Sequence, residues 1–207
     1  NYRRETNYVG NQTMDFAKNL NLFGGKPILG LNLLTSSVYT EAAMMYAMSE
    51  VNVPVNYIEL GNEFYLSDEH YKKVFPSSLD YFLKAKDWVS KIRALQIPKL
   101  GDIKFAIVGE EINDAAIGRR KMWLSTILDN IQPGDEINAI TFHNYFSVGF
   151  SKDDPANPCK SHSTTKMRRY LHQQFEMLDE LESATFQAVR NVNQGKLVGH
   201  ELDIWIT

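Results

Sequence analysis

The chain alternates short apolar runs with segments of helical periodicity, and polar residues follow almost every apolar run. The clearest apolar runs cover residues 53–60, 103–108 and 137–142. Continuous apolar runs of this length are typical of strands buried on both faces of a parallel sheet. Their alternation with helical segments predicts repeated strand–helix units, which indicates an α/β fold.

The pattern predicts five strands, at residues 27–34, 53–60, 103–108, 137–142 and 197–202. Helices are predicted at residues 13–23, 40–49 and 119–130, from Ser78 to just before Pro98, and in a long segment that ends before Gly195. A doubly wound sheet of the dinucleotide-binding type needs a glycine-rich turn after its first strand, and Gly30 has no further glycines in that register. The alternation therefore favours a (β/α)8 TIM barrel.

A complete barrel of this type has eight strands and about 250 residues. The chain has 207 residues and five predicted strands, and it stops shortly after the last one. We therefore expect one catalytic domain over residues 1–207 that is a partial barrel, truncated at both ends.

Charge and composition narrow the classes of partner. The formal net charge of −3 provides no general basic surface for nucleic acid. No apolar run reaches the roughly 18 residues of a membrane span. The one cysteine, Cys159, rules out an internal disulfide framework.

Residues with catalytic chemistry follow the predicted strands. They are Asn32, then Asn62 and Glu63, then Glu110 and Glu111, then His143, Asn144 and Tyr145, and finally Glu201 and Asp203. In a barrel, the carboxyl ends of all strands meet at one face, so residues distant in sequence share a pocket. Glu63 and Glu201 would then face each other. Two opposed carboxyl groups, one protonated and one ionised, are what glycosidic bond cleavage requires.

The same residues carry a resemblance to a known family. The segment Leu60-Gly61-Asn62-Glu63, after its apolar strand, resembles the acid/base motif on strand four of the retaining glycoside hydrolases of clan A. Residues 27–32, 141–146 and 197–201 resemble strands three, six and seven of that clan. The chain is most similar to the heparanase and β-glucuronidase group, family 79, over about residues 12–205. The resemblance implies that strands three to seven of the barrel are present.

The resemblance also implies roles for individual residues. Glu63 would be the general acid/base and Glu201 the nucleophile of a double displacement. Asn62 would bind the sugar 2-hydroxyl, Tyr145 would hold the nucleophile, and His143 would contact the substrate or Glu201. The segment 200–203 replaces the small residues that this group usually has after its nucleophile, which predicts a different environment on the aglycone side.

Three further residues have predicted roles of their own. Asn32 is a candidate substrate ligand at its strand end, and Trp205 is either a platform for sugar stacking or a core tryptophan. Glu59 has the same strand parity as Glu63, so we expect it to point into the barrel as a hydrogen-bonded structural carboxylate.

The expected partner is a carbohydrate. Sugars that contain uronic acids are included, because the resembled group binds anionic sugars and Arg119 and Arg120 lie near the pocket end of a helix. Neither a cofactor nor a metal is expected. The resemblance favours a secreted, periplasmic or lysosomal location.

Two alternative functions stay open at this point. One is a metal-dependent barrel enzyme such as a sugar isomerase, with ligands drawn from Glu63, Glu110, His143, Glu201 and Asp203. The other is an inactive carbohydrate-binding remnant, since a barrel without some of its strands exposes unpaired edges.

Overall fold

A computed structural model describes residues 11–110, 117–143, 185–197 and 201–206 of the protein. Five strands form one sheet: β1 (Ile28–Gly30), β2 (Tyr57–Glu59), β3 (Lys104–Val108), β4 (Ile137–Phe142) and β5 (Asp203–Ile206). The helices are α1 (Asn11–Phe23), α2 (Val38–Glu50), α3 (Glu69–Val74), α4 (Ser78–Ala94), α5 (Trp123–Asn130) and α6 (185–195). Short 3-10 turns cover Gly118–Arg120 and Pro133–Asp135.

The strands lie in the sheet in the order of the sequence, β1-β2-β3-β4-β5, and every neighbouring pair is parallel. This confirms the predicted α/β class with a parallel sheet. Because the strands are parallel, their carboxyl ends lie along one edge of the sheet and their amino ends along the other.

The two faces of the sheet differ in side-chain size. Leu29, Ile58, Phe105 and Ile140 lie on one face and belong to the buried hydrophobic core. The register places smaller or polar side chains on the other face, among them Gly30, Glu59, Ala106, Ala139 and Thr141. The second face therefore leaves room for polar groups, and the first face holds the bulk of the packing.

Helix α4 shows why the sequence folds as it does on the first face. Its buried side chains recur at helical spacing: Ser78, Tyr81, Phe82, Ala85, Trp88, Val89 and Ile92. A capping box begins the helix, because the Ser77 hydroxyl accepts a hydrogen bond from the Asp80 backbone N–H and the Asp80 carboxylate accepts one from the Ser77 N–H. The N-cap is thus Ser77, and the helix itself begins at Ser78.

Side chains on the second face touch across intervening strands. The rings of Tyr57 in β2 and Trp205 in β5 meet edge to face, with centroids 5.3 Å apart, although β3 and β4 lie between them. In β3 and β5, Lys104 Nζ lies 3.6 Å from Asp203 Oδ2 across β4. Neighbouring strands are about 4.8 Å apart, so these side chains lean toward one another over the sheet.

Several element bounds differ from the sequence predictions. Strand β1 is shorter than predicted, and helix α3 lies in the segment after Glu63, where no helix was predicted. The largest correction concerns the last strand, which was predicted at 197–202 but begins at Asp203. In the structure, residues 203–206 pair with β4, with Ile204 opposite Ile140 and Ile206 opposite Phe142.

Other predictions fall outside the described residues, among them those for Tyr145, Asn144, Glu111 and Cys159 and for the first part of the long last helix. Helix α6 is the described end of that segment. In the described part of the chain, no helix combines the length and apolar character needed to cross a membrane.

Candidate functional site

The backbone turns sharply where β2 ends, at Leu60-Gly61-Asn62-Glu63. Gly61 has a φ of 117°, and a Cβ there would lie 2.1 Å from the ring of Phe64, so only glycine fits. Glu63 itself has a φ of 48°, in the left-handed region that is uncommon for glutamate. Such conformations persist where the surrounding structure enforces them, and they concentrate at functional sites.

Tyr81 of α4 fixes the start of this turn. Its buried hydroxyl donates to the Leu60 carbonyl (2.7 Å) and accepts from the Val108 N–H (2.8 Å), so it bridges the carboxyl ends of β2 and β3. Trp123 stacks on the Tyr81 ring at 5.3 Å and donates its indole N–H to the Val108 carbonyl (2.9 Å). Burial raises the pKa of Tyr81 well above its usual range, so the hydroxyl stays neutral.

Arg119 fixes the far side of the same loop. Its guanidinium donates to the carbonyls of Phe64 and Phe75, each at 2.8 Å, and lies over the Trp123 ring at 5.1 Å. Burial lowers the pKa of Arg119, although an arginine side chain stays charged under ordinary conditions. Arg119 is therefore engaged with backbone carbonyls, which is a structural role.

Glu63 meets a histidine from the end of β4. His143 Nδ1 lies 3.2 Å from Glu63 Oε1, and His143 Nε2 lies 2.9 Å from Glu59 Oε1. The three side chains are largely buried, with exposed fractions of 6% for His143, 10% for Glu59 and 17% for Glu63. Glu59 is thus a buried carboxylate with a hydrogen-bond partner, as predicted, and His143 contacts both glutamates.

Two more residues extend this cluster. The Tyr65 hydroxyl lies 3.4 Å from Glu63 Oε1, in position to donate a weak hydrogen bond. Arg120 lies over the Tyr65 ring at 5.4 Å and donates to Glu110, with Nε at 2.7 Å from Oε1. Arg120 is therefore near the cluster, but its charge is already paired with that of Glu110.

A cavity of about 440 Å³ opens beside the cluster, at the carboxyl ends of β1 and β2. Its lining is a mixture of apolar and polar groups: Gly30, Leu31, Asn32, Leu34, Glu59, Gly61, Asn62, Phe64 and Tyr71. Asn62 is exposed there, next to Glu63. A somewhat larger cavity of about 540 Å³ lies at the amino edge of the sheet, against Asn56, Tyr57 and Lys104, and contains none of the predicted site residues.

Asn32 has a structural use that the sequence did not reveal. Its side-chain oxygen accepts hydrogen bonds from the N–H groups of Leu34 (3.1 Å) and Thr35 (3.0 Å), and its amide donates to the Thr35 hydroxyl (2.8 Å). These contacts shape the turn after β1. Asn32 also lines the cavity. It therefore stabilises the turn after β1 and lies at the edge of the candidate site.

Glu201 is not brought to Glu63 by the observed strand bounds. It is exposed and precedes β5 by two residues, so it lies at the amino edge of the sheet. Glu63 and His143 lie at the carboxyl edge, where Phe142 pairs with Ile206. Strand β5 alone spans about 10 Å between these edges. Trp205, within β5, packs against Tyr57 and is partly buried.

The candidate metal ligands do not converge either. In the part of the chain that the structure describes, no group of three or more histidine, cysteine, aspartate or glutamate side chains has an arrangement that could hold a metal ion. Glu110 is paired with Arg120, and Asp203 lies near Lys104 at the amino end of β5.

Sequence reasoning missed three residues that shape the site, namely Tyr65, Tyr81 and Trp123. Tyr81 and Trp123 were interpretable only as apolar positions on helices, because their hydrogen bonds go to backbone atoms of distant strands. The position of Tyr65 two residues after Glu63 was the one available signal.

A scan against protein-family models gives no match, and a search of the curated proteins gives none either.

Proposed function

We propose that this protein is the catalytic part of a glycoside hydrolase in which Glu63 is the general acid/base. One observation carries the proposal: a glutamate in a strained backbone conformation at the carboxyl edge of a parallel sheet, hydrogen-bonded to a buried histidine, beside a cavity. Ligand sites of parallel α/β folds occur at that edge.

The chemistry of the neighbouring groups suits this role. His143 Nδ1 and the Tyr65 hydroxyl lie within hydrogen-bond distance of Glu63 Oε1 and can hold this carboxyl group in place. The exposed amide of Asn62 lines the adjacent cavity, where it can bind a sugar hydroxyl, and Glu63 is the next residue of the chain. A carbohydrate, including sugars with uronic acids, is the proposed substrate.

We further propose that the sheet is an arc of a (β/α)8 barrel. Consecutive parallel strands that stay in sequence order are what barrel geometry requires, whereas a doubly wound sheet reverses its strand order at a switch point. The contact between Tyr57 and Trp205 across two strands supports curvature toward the second face of the sheet, on which both rings lie.

The proposed mechanism is a double displacement with retention of configuration. It needs a second carboxylate about 5 Å from Glu63, on the opposite side of the sugar. The family resemblance assigns that role to Glu201, and the assignment stays a prediction; the position of Glu201 before β5 argues against it. A direct test is the variant Glu201→Gln.

The test of the function uses aryl β-glycosides, with glucuronides included, and the variants Glu63→Gln and Glu63→Ala. We expect either substitution to lower kcat by a factor of about 10²–10⁴ on substrates with poor leaving groups. Added azide should restore turnover of an activated substrate by Glu63→Ala, because azide needs no general base. The anomeric configuration of the first product, followed by proton NMR, shows whether configuration is retained.

Glu69→Gln is the matched control, since Glu69 lies six residues further on, is exposed and pairs with Lys72. It should leave kcat unchanged. Full activity of Glu63→Gln on poor leaving groups would overturn the proposal. Binding of the glycosides without hydrolysis by the unaltered chain would favour the inactive carbohydrate-binding alternative.

A further inference from the structure

His143 joins two carboxyl groups that lie four residues apart in the sequence. Its Nε2 contacts Glu59 at 2.9 Å and its Nδ1 contacts Glu63 at 3.2 Å. The imidazole is only 6% exposed, so bulk water competes little for either ring nitrogen. In the neutral ring, one nitrogen carries the proton and donates a hydrogen bond, and the other nitrogen then presents a lone pair to its partner.

Glu59 is the more buried of the two carboxyl groups, and its contact with the ring is the shorter. The 2.9 Å contact has the usual length of an N–H···O hydrogen bond, whereas the 3.2 Å contact is at the long end of that range. With the Glu59 carboxylate as the acceptor of the better hydrogen bond, Nε2 carries the ring proton. In the neutral ring, the lone pair of Nδ1 then points at Glu63.

A lone pair on Nδ1 can form a hydrogen bond with Glu63 only if the Glu63 carboxyl carries a proton. That protonated carboxyl is the form that a general acid needs before it donates to the leaving oxygen. An ionised Glu63 would face the lone pair at about the same distance, which is unfavourable. The hydrogen bond to Glu59 thus determines the tautomer of His143. That tautomer in turn determines which protonation state of Glu63 can form a hydrogen bond with the ring.

We propose that Glu59 is a positioning residue for Glu63. By accepting the Nε2 proton of His143, Glu59 fixes the ring so that Nδ1 holds the protonated form of the Glu63 carboxyl. The inference rests on the proposed function for the role of Glu63, whereas the tautomer itself does not depend on it.

The proton balance of the reaction is simple. In the first step, the proton of Glu63 moves to the glycosidic oxygen, and the second carboxylate of the proposed mechanism forms a bond to the anomeric carbon. The bond from that carbon to the glycosidic oxygen breaks, and its electron pair leaves with the oxygen. In the second step, the ionised Glu63 takes a proton from a water molecule, whose oxygen bonds to the anomeric carbon while the bond from that carbon to the second carboxylate breaks. His143 and Glu59 neither gain nor lose a proton overall. The lone pair of Nδ1 facing Glu63 favours the return of the proton.

Other charged or titratable groups face this cluster. The Tyr65 hydroxyl contacts Glu63, and the Arg120 guanidinium lies over the Tyr65 ring while it pairs with Glu110. The Arg120–Glu110 pair is neutral as a whole. Tyr81 lies near Glu59, whose negative charge adds to burial in raising the pKa of Tyr81, so that hydroxyl stays uncharged. The negative charge of Glu59 is therefore not cancelled by these neighbours.

The first experiment determines the tautomer of His143 by nitrogen-15 NMR of the histidine rings in the 207-residue chain. The chain has five histidines, and the signals absent from His143→Gln identify the ring. We expect a proton on Nε2 and none on Nδ1 when the ring is neutral. In Glu59→Gln the amide can donate as well as accept, so the form with a proton on Nδ1 should gain population.

The matched control is Glu41→Gln, because Glu41 is another buried glutamate, on α2 and outside the site. It should leave the His143 signals unchanged. A proton on Nδ1 in the unaltered chain would overturn the proposal, and so would an unchanged tautomer in Glu59→Gln. If Glu59→Gln does not fold, Glu59→Asp keeps a carboxylate on a shorter side chain and should keep the Nε2 proton.

The second experiment compares a phenyl glycoside with a dinitrophenyl glycoside. The poor phenyl leaving group needs general acid catalysis, and the activated one does not. Glu59→Gln should therefore lower kcat by about tenfold or more for the phenyl substrate, with little change for the other, and the basic limb of its pH profile should move to lower pH. An equal loss on both substrates would indicate a merely structural role and overturn the proposal.

The two experiments separate the two proposals. A chain that cleaves neither substrate, but whose His143 carries the Nε2 proton only while Glu59 is present, contradicts the glycosidase function and retains the positioning by Glu59. A chain that cleaves both substrates but shows the opposite tautomer contradicts the positioning and retains the function.

Discussion

The hydroxyl of Tyr81 donates to the carbonyl of Leu60 at 2.7 Å, and this hydrogen bond fixes the residue at which the turn that carries Glu63 begins. The same hydroxyl accepts from the Val108 N–H, where β2 and β3 end. The position of Glu63, three residues after Leu60, thus depends on one side chain of α4.

The variant Tyr81→Phe tests this dependence. Removal of the hydroxyl leaves a buried N–H and a buried carbonyl without this partner, so we expect the free energy of unfolding to fall by about 1–3 kcal/mol. Urea denaturation measures the change. Tyr39→Phe is the control, because Tyr39 is 57% exposed. Equal stability of Tyr81→Phe and the unaltered chain would show that the strand ends do not rely on the hydroxyl.

Gly61 supports a second prediction about the same turn. An alanine there would have its Cβ 2.1 Å from the Phe64 ring and would adopt a φ of 117°, which costs energy even where space is free. We expect Gly61→Ala to destabilise the fold by about 1–3 kcal/mol and to lower activity by displacing Glu63. Thermal unfolding together with kcat reports both effects.

Gly134 provides the control for this prediction. Nothing lies within 4 Å of a Cβ added at Gly134, so Gly134→Ala should have no comparable effect. If Gly61→Ala unfolds at the same temperature as Gly134→Ala, the steric argument for Gly61 is wrong.

The sequence was sufficient to predict the class of fold and the location of Glu63 just after the end of β2. Apolar runs are visible in one dimension, and the bounds of β4 agree with the predicted run at 137–142. The change from apolar residues to Gly61, Asn62 and Glu63 marks the end of β2 because a buried strand cannot continue through such residues. The hydrogen-bonded state of Glu59 also followed from strand parity.

The sequence was insufficient where two neighbouring segments have equal apolar character. Leu197 and Val198 are as suited to a strand as Ile204 and Ile206, and only pairing with β4 decides between them. That choice determines the edge of the sheet on which Glu201 lies. The double contact of His143 was also hidden, since it depends on the distance between the ends of β2 and β4 and not on any local pattern.

The ion pair between Glu50 and Lys99 predicts a pH dependence of stability. Lys99 Nζ lies 2.9 Å from Glu50 Oε1, and this contact lowers the pKa of Glu50 and raises that of Lys99. A carboxyl whose pKa is lower in the folded state stabilises the fold above its ordinary pKa, and this stabilisation is lost as the pH falls through the lowered value. Both side chains are well exposed, so the effect is small and sensitive to salt.

The variant Glu50→Gln should therefore be slightly less stable than the unaltered chain at neutral pH and equally stable in acid. The difference should also disappear in about 1 M salt, where the screening length is near 3 Å. Denaturation at several pH values measures the difference in the free energy of unfolding between Glu50→Gln and the unaltered chain. A difference between the two chains that stays constant from neutral to acid pH would contradict the attribution to this ion pair.

Arg119 leads to the last prediction, because it holds both ends of the loop between Glu63 and α4. It donates to the carbonyls of Phe64 and Phe75 and lies over the Trp123 ring, and a lysine ammonium cannot reproduce this planar arrangement. We expect Arg119→Lys to destabilise the protein by about 1–3 kcal/mol and to speed amide hydrogen exchange in α3, which this loop contains. Lys121→Arg, an exposed change two residues away, is the control. Unchanged exchange in α3 would show that other contacts hold the loop, whereas faster exchange confined to it would connect Arg119 to the position of Glu63.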